Sequence, residues 1–246
     1  MKNTLILGLA LVCGLFSFNP AVHAQANPAA TPESRNSWME KHELFNLVLK
    51  KNKGKFDTAF LGDSITEGWR GRAQDVWDKT FSAYKPFNLG IGGDRTENVL
   101  WRIDNGMFDE FQPKALVLMI GTNNLSKKHT PEQTAEGVRA IVDDIHKRSP
   151  GTKIIVMGIL PRGQSATDPM RALVQQTNEL VKKMAEEKGL AYLDIGPKLL
   201  ESDGSITKDT MPDFLHPTKR GYEAWAEAVA PVLAADEKTT STASTE

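Results

Sequence analysis

Residues 115–124 read A-L-V-L-M-I-G-T-N-N. Six apolar side chains in succession, without polar alternation, suit a strand covered on both faces, and the run stops at a glycine followed by small polar residues. The same pattern recurs on either side. Thr58 to Leu61 ends at Gly62, Phe87 to Leu89 ends in G-I-G-G, Ile154 to Met157 in G-I-L-P-R, and Ala191 to Leu193 in D-I-G. Helical patterns separate these runs. Ser37 with Glu40 reads as a capping box, opening a helix whose one face carries Trp38, His42, Phe45 and Leu49. Thr130-Pro131-Glu132-Gln133 supplies a cap and a first-turn proline for a helix that stops near Ser149, before Pro150. Asp168-Pro169 opens another that ends at Gly189, and Gly221 to Leu233 forms the last. Strand–helix alternation predicts an α/β fold, a five-stranded parallel sheet between two helix layers. In such sheets ligands bind beyond the carboxyl ends of the strands.

Composition narrows the function classes. The chain has 246 residues, 40% apolar and 25% charged, within the range of globular domains. Thirty basic residues against 31 acidic ones give a formal charge of −1, which argues against a nucleic-acid partner. One cysteine, Cys13, excludes an internal disulfide framework and a cysteine-rich metal site. Lys2, an apolar run from Leu5 to Phe18 and the small-residue site Val22-His23-Ala24 have the layout of a secretory signal peptide. The expected organisation is a signal peptide over 1–24, a flexible lead-in over 25–36, one domain over 37–235 and a disordered tail over 236–246. A secreted or periplasmic protein without stable membrane insertion follows from that reading.

Three strand ends and one C-terminal block carry groups suited to chemistry. The first run leads into G-D-S-I-T-E-G, which places Ser64 where a strand turns into a helix, beside unpaired backbone N–H groups. Asp63 and Ser64 are also good helix caps, so this block alone barely favours function. A serine nucleophile needs a base, and the base an orienting partner. Asp213 and His216, three residues apart in M-P-D-F-L-H-P-T, share a face if they lie in a helical turn. The glycines of G-I-G-G-D-R and the Asn amides of G-T-N-N are suitable donors to an oxyanion, though both are turn residues as well. G-I-G-G lacks the dinucleotide-loop spacing, and two acids in G-D-S-I-T-E oppose a phosphate there.

Taken together, G-D-S, the glycine after the second strand, G-T-N-N and D-x-x-H resemble the SGNH (GDSL) hydrolases over roughly Phe56 to Leu233. N-L-G-I-G-G-D-R-T-E-N-V-L-W-R, G-I-L-P-R-G and D-F-L-H are most similar to the platelet-activating-factor acetylhydrolase catalytic subunits of that family. The resemblance implies a flavodoxin-like α/β/α sandwich and no cofactor; no residue is assigned as a metal ligand. It implies Ser64 as nucleophile, His216 as general base and Asp213 as its orienting acid. Oxyanion donors would be the Ser64 N–H, the Gly93 N–H and the Asn123 side chain. Ile65 and Leu215 match positions that narrow the acyl pocket, which suggests acetyl or another short acyl group; both also suit a core. Arg162, after the fourth strand, is a candidate substrate contact or a surface residue. The expected partner is a small-molecule ester, with a homodimer left open. Acetylated lipid and acetylated glycan both stand as substrates, and a silent glycan-binding module on the same fold is the alternative outside catalysis. Asn124-Leu125-Ser126 matches a glycosylation sequon, read here as coincidence.

Overall fold

The computed structural model describes residues 26–242, with side chains to 235. The signal-peptide reading falls on residues outside the described ones. In chain order the elements are α1 (Met39–Lys51), β1 (Thr58–Gly62), α2 (Ser64–Glu67), α3 (Trp69–Arg72), α4 (Gln74–Phe81), β2 (Pro86–Asn88), α5 (Thr96–Arg102), β3 (Ala115–Met119), α6 (Thr122–Ser126), α7 (Pro131–Arg148), β4 (Lys153–Met157), α8 (Pro169–Glu187), β5 (Ala191–Leu193) and α9 (Lys219–Thr242). All strand pairs are parallel, in the order β2-β1-β3-β4-β5. That is the doubly wound order, with its reversal of direction between β1 and β3.

Period-two burial sorts the strands into two cores. Ala59, Leu61, Leu116, Leu118, Ile154 and Val156 face a cluster built by α1, α5, α7 and α8. Phe60, Val117, Met119, Ile155 and Met157 face the other, where Trp69, Trp77, Phe81, Tyr222 and Trp225 pack from α3, α4 and α9. Both faces are covered, as the continuous apolar runs require.

Two helix starts separate good signals from poor ones. Thr130 and Gln133 close a reciprocal capping box at α7. The Ser37–Glu40 box does not form: a short 3₁₀ turn (Asn36–Trp38) leads into α1 without a side-chain cap, while Trp38, His42, Phe45 and Leu49 are buried as expected.

Both flanks differ from expectation. The lead-in is not a loose segment. Asn27 caps a 3₁₀ turn at Pro28–Ala30 and donates to the Gln133 carbonyl at 3.0 Å. Ala29 is fully buried; its carbonyl accepts from Thr96 Oγ1 at 2.6 Å, and the Glu33 N–H donates to the Glu97 carbonyl. Gly137 makes this possible, since a Cβ there would stand 2.5 Å from the Ala29 carbonyl. At the other end, α9 passes Pro231 and runs to Thr242, where a tail was expected from 236. The two alanines at 234 and 235 favour the helical backbone, and no glycine follows to stop it. Among the described residues no helix is long and apolar enough to cross a membrane.

Candidate active site

The carboxyl end of β1 delivers Ser64 through a tight corner. A side chain at Gly62 would collide with the Met119 carbonyl and Thr66, so only glycine lets β1 turn against β3 here. Asp63 Oδ1 accepts from the Ile65 N–H at 2.9 Å and caps α2. Its carboxyl is fully buried, and that burial, helped by nearby Asp94 and opposed by the Ile65 N–H, pushes it up to about 7. Tyr222 Oη donates to the Ile65 carbonyl at 2.7 Å and fastens α2 to α9. As the first residue of α2, Ser64 has no intrahelical use for its N–H.

His216 and Asp213 come from the segment before α9, which is a turn and not helical. Phe214 takes a left-handed φ of +57°, uncommon for a bulky residue, and its carbonyl accepts from the Gly163 N–H. Asp213 Oδ1 accepts the backbone N–H groups of Leu215 and His216 at 3.2 and 2.8 Å. Oδ2 lies 2.7 Å from His216 Nδ1, and His216 Nε2 lies 2.8 Å from Ser64 Oγ. A carboxylate only accepts, so the Nδ1–H donates to Asp213 and leaves Nε2 to accept from the Ser64 hydroxyl. Partial burial opposes ionisation of Asp213, but hydrogen bonds from the His216 ring and backbone outweigh it and hold the carboxyl at about 2. This is the arrangement that base activation of a hydroxyl requires.

The loops after β2 and β3 close the other side. Gly92 lies against Ser64, and Gly93 (φ +78°) turns the chain so that its N–H donates to no group among the described residues. Asn123, at the start of α6, donates from Nδ2 to the Asp94 carbonyl at 2.9 Å and keeps a second amide hydrogen. The structure therefore brings Ser64, Gly93, Asn123, Asp213 and His216 to one edge of the sheet.

Of the other expected residues, Ile65 turns into the core, while Leu215 and Arg162 stand beside the site. Ile65 is 2% exposed and belongs to the core cluster with Trp69 and Tyr222, so it presents almost no surface to a bound group. The first turn of α2 points the residue after Ser64 inward. Leu215 stays half-exposed beside His216. Arg162 is not a free surface residue: Nη1 donates to the Thr122 carbonyl, Thr122 Oγ1 and Ser126 Oγ, pinning the loop after β4 to α6. Asn124 of the sequon is fully buried and bonded to Thr96, Glu97 and His129, closed to a glycan.

The structure adds residues that sequence reasoning passed over. Arg102 and Asp94 form a fully buried pair at 2.7 Å, and Arg102 also donates to the Leu89 carbonyl, so the glycine loop is tied at both ends. Glu67 accepts the Gly92 N–H at 2.6 Å and pairs with Lys41. Its place three residues after Ser64, on the same helical face, was a usable signal. Arg35, in the expected lead-in, reaches the same loop and carried none.

The profile of the GDSL-like lipase/acylhydrolase family matches residues 60–224. The chain belongs to the GDSL-like lipase/acylhydrolase family. Among curated relatives, human platelet-activating factor acetylhydrolase IB subunit alpha1 is 35% identical over 216 residues, spanning 85% of this chain and 90% of that protein. The rat alpha2 subunit is 38% identical over 204 residues, spanning 80% and 86%. Solved structures with the same fold include a GDSL-like lipase from Bacteroides thetaiotaomicron (TM-score 0.63, 20% identity, 80% of this chain and 97% of that one). An acetylxylan esterase from Geobacillus stearothermophilus is similar too (TM-score 0.58, 20% identity, 72% and 93%). This GDSL-like acylhydrolase is a carboxylic ester hydrolase. Among its described residues, no cluster of three His, Cys, Asp or Glu side chains is placed to hold a metal ion.

Proposed function

We propose that the enzyme hydrolyses short-chain esters through an acyl-enzyme on Ser64. The observation that carries this reading is the unbroken chain from Asp213 through His216 to Ser64 Oγ, with links of 2.7 and 2.8 Å. His216 takes the hydroxyl proton as Ser64 attacks the ester carbonyl, and then hands it to the departing alkoxide. Asp213 holds the ring tautomer and offsets the imidazolium charge. The oxyanion rests against the Ser64 N–H, the Gly93 N–H and the Asn123 amide, and a water relayed by His216 releases the acid.

Support for a small acyl group comes from the acetylhydrolase relatives, since Ile65 is a core side chain and only Leu215 stands open beside His216. An acetylated lipid is the alcohol side that those relatives favour, and an acetylated glycan is the competing one. The tripartite N-terminus supports export from the cytoplasm. The neutral overall charge and the single-domain sheet support a small-molecule ester as the partner, without nucleic acid. The test is hydrolysis of p-nitrophenyl esters of increasing acyl length by wild type and Ser64→Ala. Acetate turnover that falls with chain length and disappears in the variant is the expected result. Equal rates for wild type and variant would overturn the Ser64 assignment; a preference for long chains would overturn the acyl assignment alone.

A further inference from the structure

Gly92 C=O and Gly93 N–H belong to one peptide group, and that group is gripped from behind. Arg35 Nη2 donates to the Gly92 carbonyl at 2.5 Å and Nη1 to the Gly93 carbonyl at 2.7 Å. The guanidinium lies over the Trp38 ring, 5.8 Å from its centroid, and 3.7 Å from Asp94 Oδ1. Gly93 must be glycine for this: a Cβ would stand 2.5 Å from Arg35 Nη1. The loop is already located by Arg102, which bonds Asp94 and the Leu89 carbonyl, and by Asn123, which bonds the Asp94 carbonyl. Arg35 adds bonds only to the two carbonyls that flank the Gly93 N–H.

We propose that Arg35 is a positioning residue for ester hydrolysis, acting through the Gly92–Gly93 peptide on the oxyanion. A cation bonded to an amide oxygen withdraws charge from the amide and makes its N–H a stronger donor. It also fixes the direction of that N–H before charge develops, so no reorganisation is needed in the transition state. Glu67 complements it by accepting the Gly92 N–H, while the Gly93 N–H has no acceptor among the described residues. The proposal rests on reading the Gly93 N–H as an oxyanion donor. It gives the segment before α1 a part in turnover, where the sequence suggested a spacer.

A cleft of about 480 Å³ lined by Arg35, Trp38, Lys41, Glu67 and Gly92 opens this position to solvent, which makes chemical rescue practical. The experiment uses the full chain, p-nitrophenyl acetate and the variants Arg35→Ala, Arg35→Lys, Asn123→Ala and Ser64→Ala. Weakening a donor should cost less than deleting one, so Arg35→Ala should lower kcat by about 10–100-fold, with KM almost unchanged. Guanidinium chloride at millimolar concentration should restore part of that kcat and leave wild type and Ser64→Ala as they were. A normal kcat for Arg35→Ala overturns the proposal. So does a loss that follows KM or the unfolding temperature and is not rescued. Should Arg35→Ala not fold, Arg35→Lys decides: it keeps the charge but reaches one carbonyl, and an unaltered kcat overturns the proposal. Activity surviving in Ser64→Ala would instead overturn the reading of the site itself, whereas a dead Ser64→Ala with an impaired Asn123→Ala and a normal Arg35→Ala would overturn only the role of Arg35.

Discussion

Asp63 stands immediately before Ser64 with its carboxyl sealed in the core, and folding therefore changes its affinity for a proton. Burial pushes it up from an ordinary 3.8 to about 7. Below 3.8 the group is protonated in both folded and unfolded chains and costs nothing. As pH rises, the unfolded chain ionises first and is stabilised, while the folded chain holds its proton until about 7. Stability from this group is thus complete in acid and lost as pH climbs through that window. At about 1.4 kcal/mol per pH unit the full difference is ~4 kcal/mol, an upper limit because local relaxation would soften it. Asp63→Asn keeps an oxygen to accept from the Ile65 N–H but cannot ionise. The assay is urea unfolding of wild type and Asp63→Asn at intervals from acid to mildly alkaline pH. Subtraction cancels most other titrating groups. The wild-type advantage should shrink steadily between about pH 4 and 7 and then level off. A flat difference curve, or one that rises with pH, would refute the claim that Asp63 is held neutral by burial.

Two further perturbations test the site and its support. Asp213→Asn would offer His216 Nδ1 a donor and favour the wrong tautomer, so kcat should fall by up to ~10⁴-fold. Because the Asp213 side chain is 54% exposed, the melting temperature should barely move; a large drop in melting temperature with little loss of kcat would contradict the assignment. Arg102→Met strands the buried Asp94 carboxylate and should cost about 3–5 kcal/mol in urea unfolding. Adding Asp94→Asn should recover most of that loss, and a double variant no better than the single one would show that the pair is not the cause.

The sheet was legible because burial on both faces forces continuous apolar runs, and each of the five predicted strands lies within a residue or two of the observed one. That Ser64, Asp213 and His216 would meet was legible by residue type, and the structure links them at 2.7 and 2.8 Å. Their local geometry was not legible. A helical turn was expected at Asp213–His216, but Pro217 follows directly and the Asp213 side chain captures two backbone N–H groups, which leaves Phe214 left-handed. Ile65 stayed open between acyl pocket and core for a related reason: spacing shows that it follows Ser64, but only the direction of the first turn of α2 shows that it points into the core. Residues 26–36 look like a spacer because Ala, Pro, Ser and Asn bury little area. Their hold on the domain depends on fit, Ala29 against Gly137 and Asn27 against the end of a distant carbonyl, and fit between distant segments leaves no periodicity to read.

The same contrast sets how the site should respond to change. Under the proposed mechanism, the half assigned to the oxyanion is built on fully buried supports: Asp63 beside Ser64, Arg102 and Asp94 behind the glycine loop, Asn124 beside Asn123. Displacing any of these charges or amides strands a partner in the core, where an unpaired polar group is expensive. The half assigned to proton transfer sits on an exposed turn, with Asp213 open to water and His216 held by it through ring and backbone alike. Preorganised donors gain from a rigid, dry setting, because their value lies in not having to move. The base proposed here has a different task, carrying a proton between serine, leaving group and water, and access to solvent serves that. Substitutions beneath the glycine loop should therefore cost stability and kcat together, whereas substitutions on the Asp213–His216 turn should cost kcat with the fold intact.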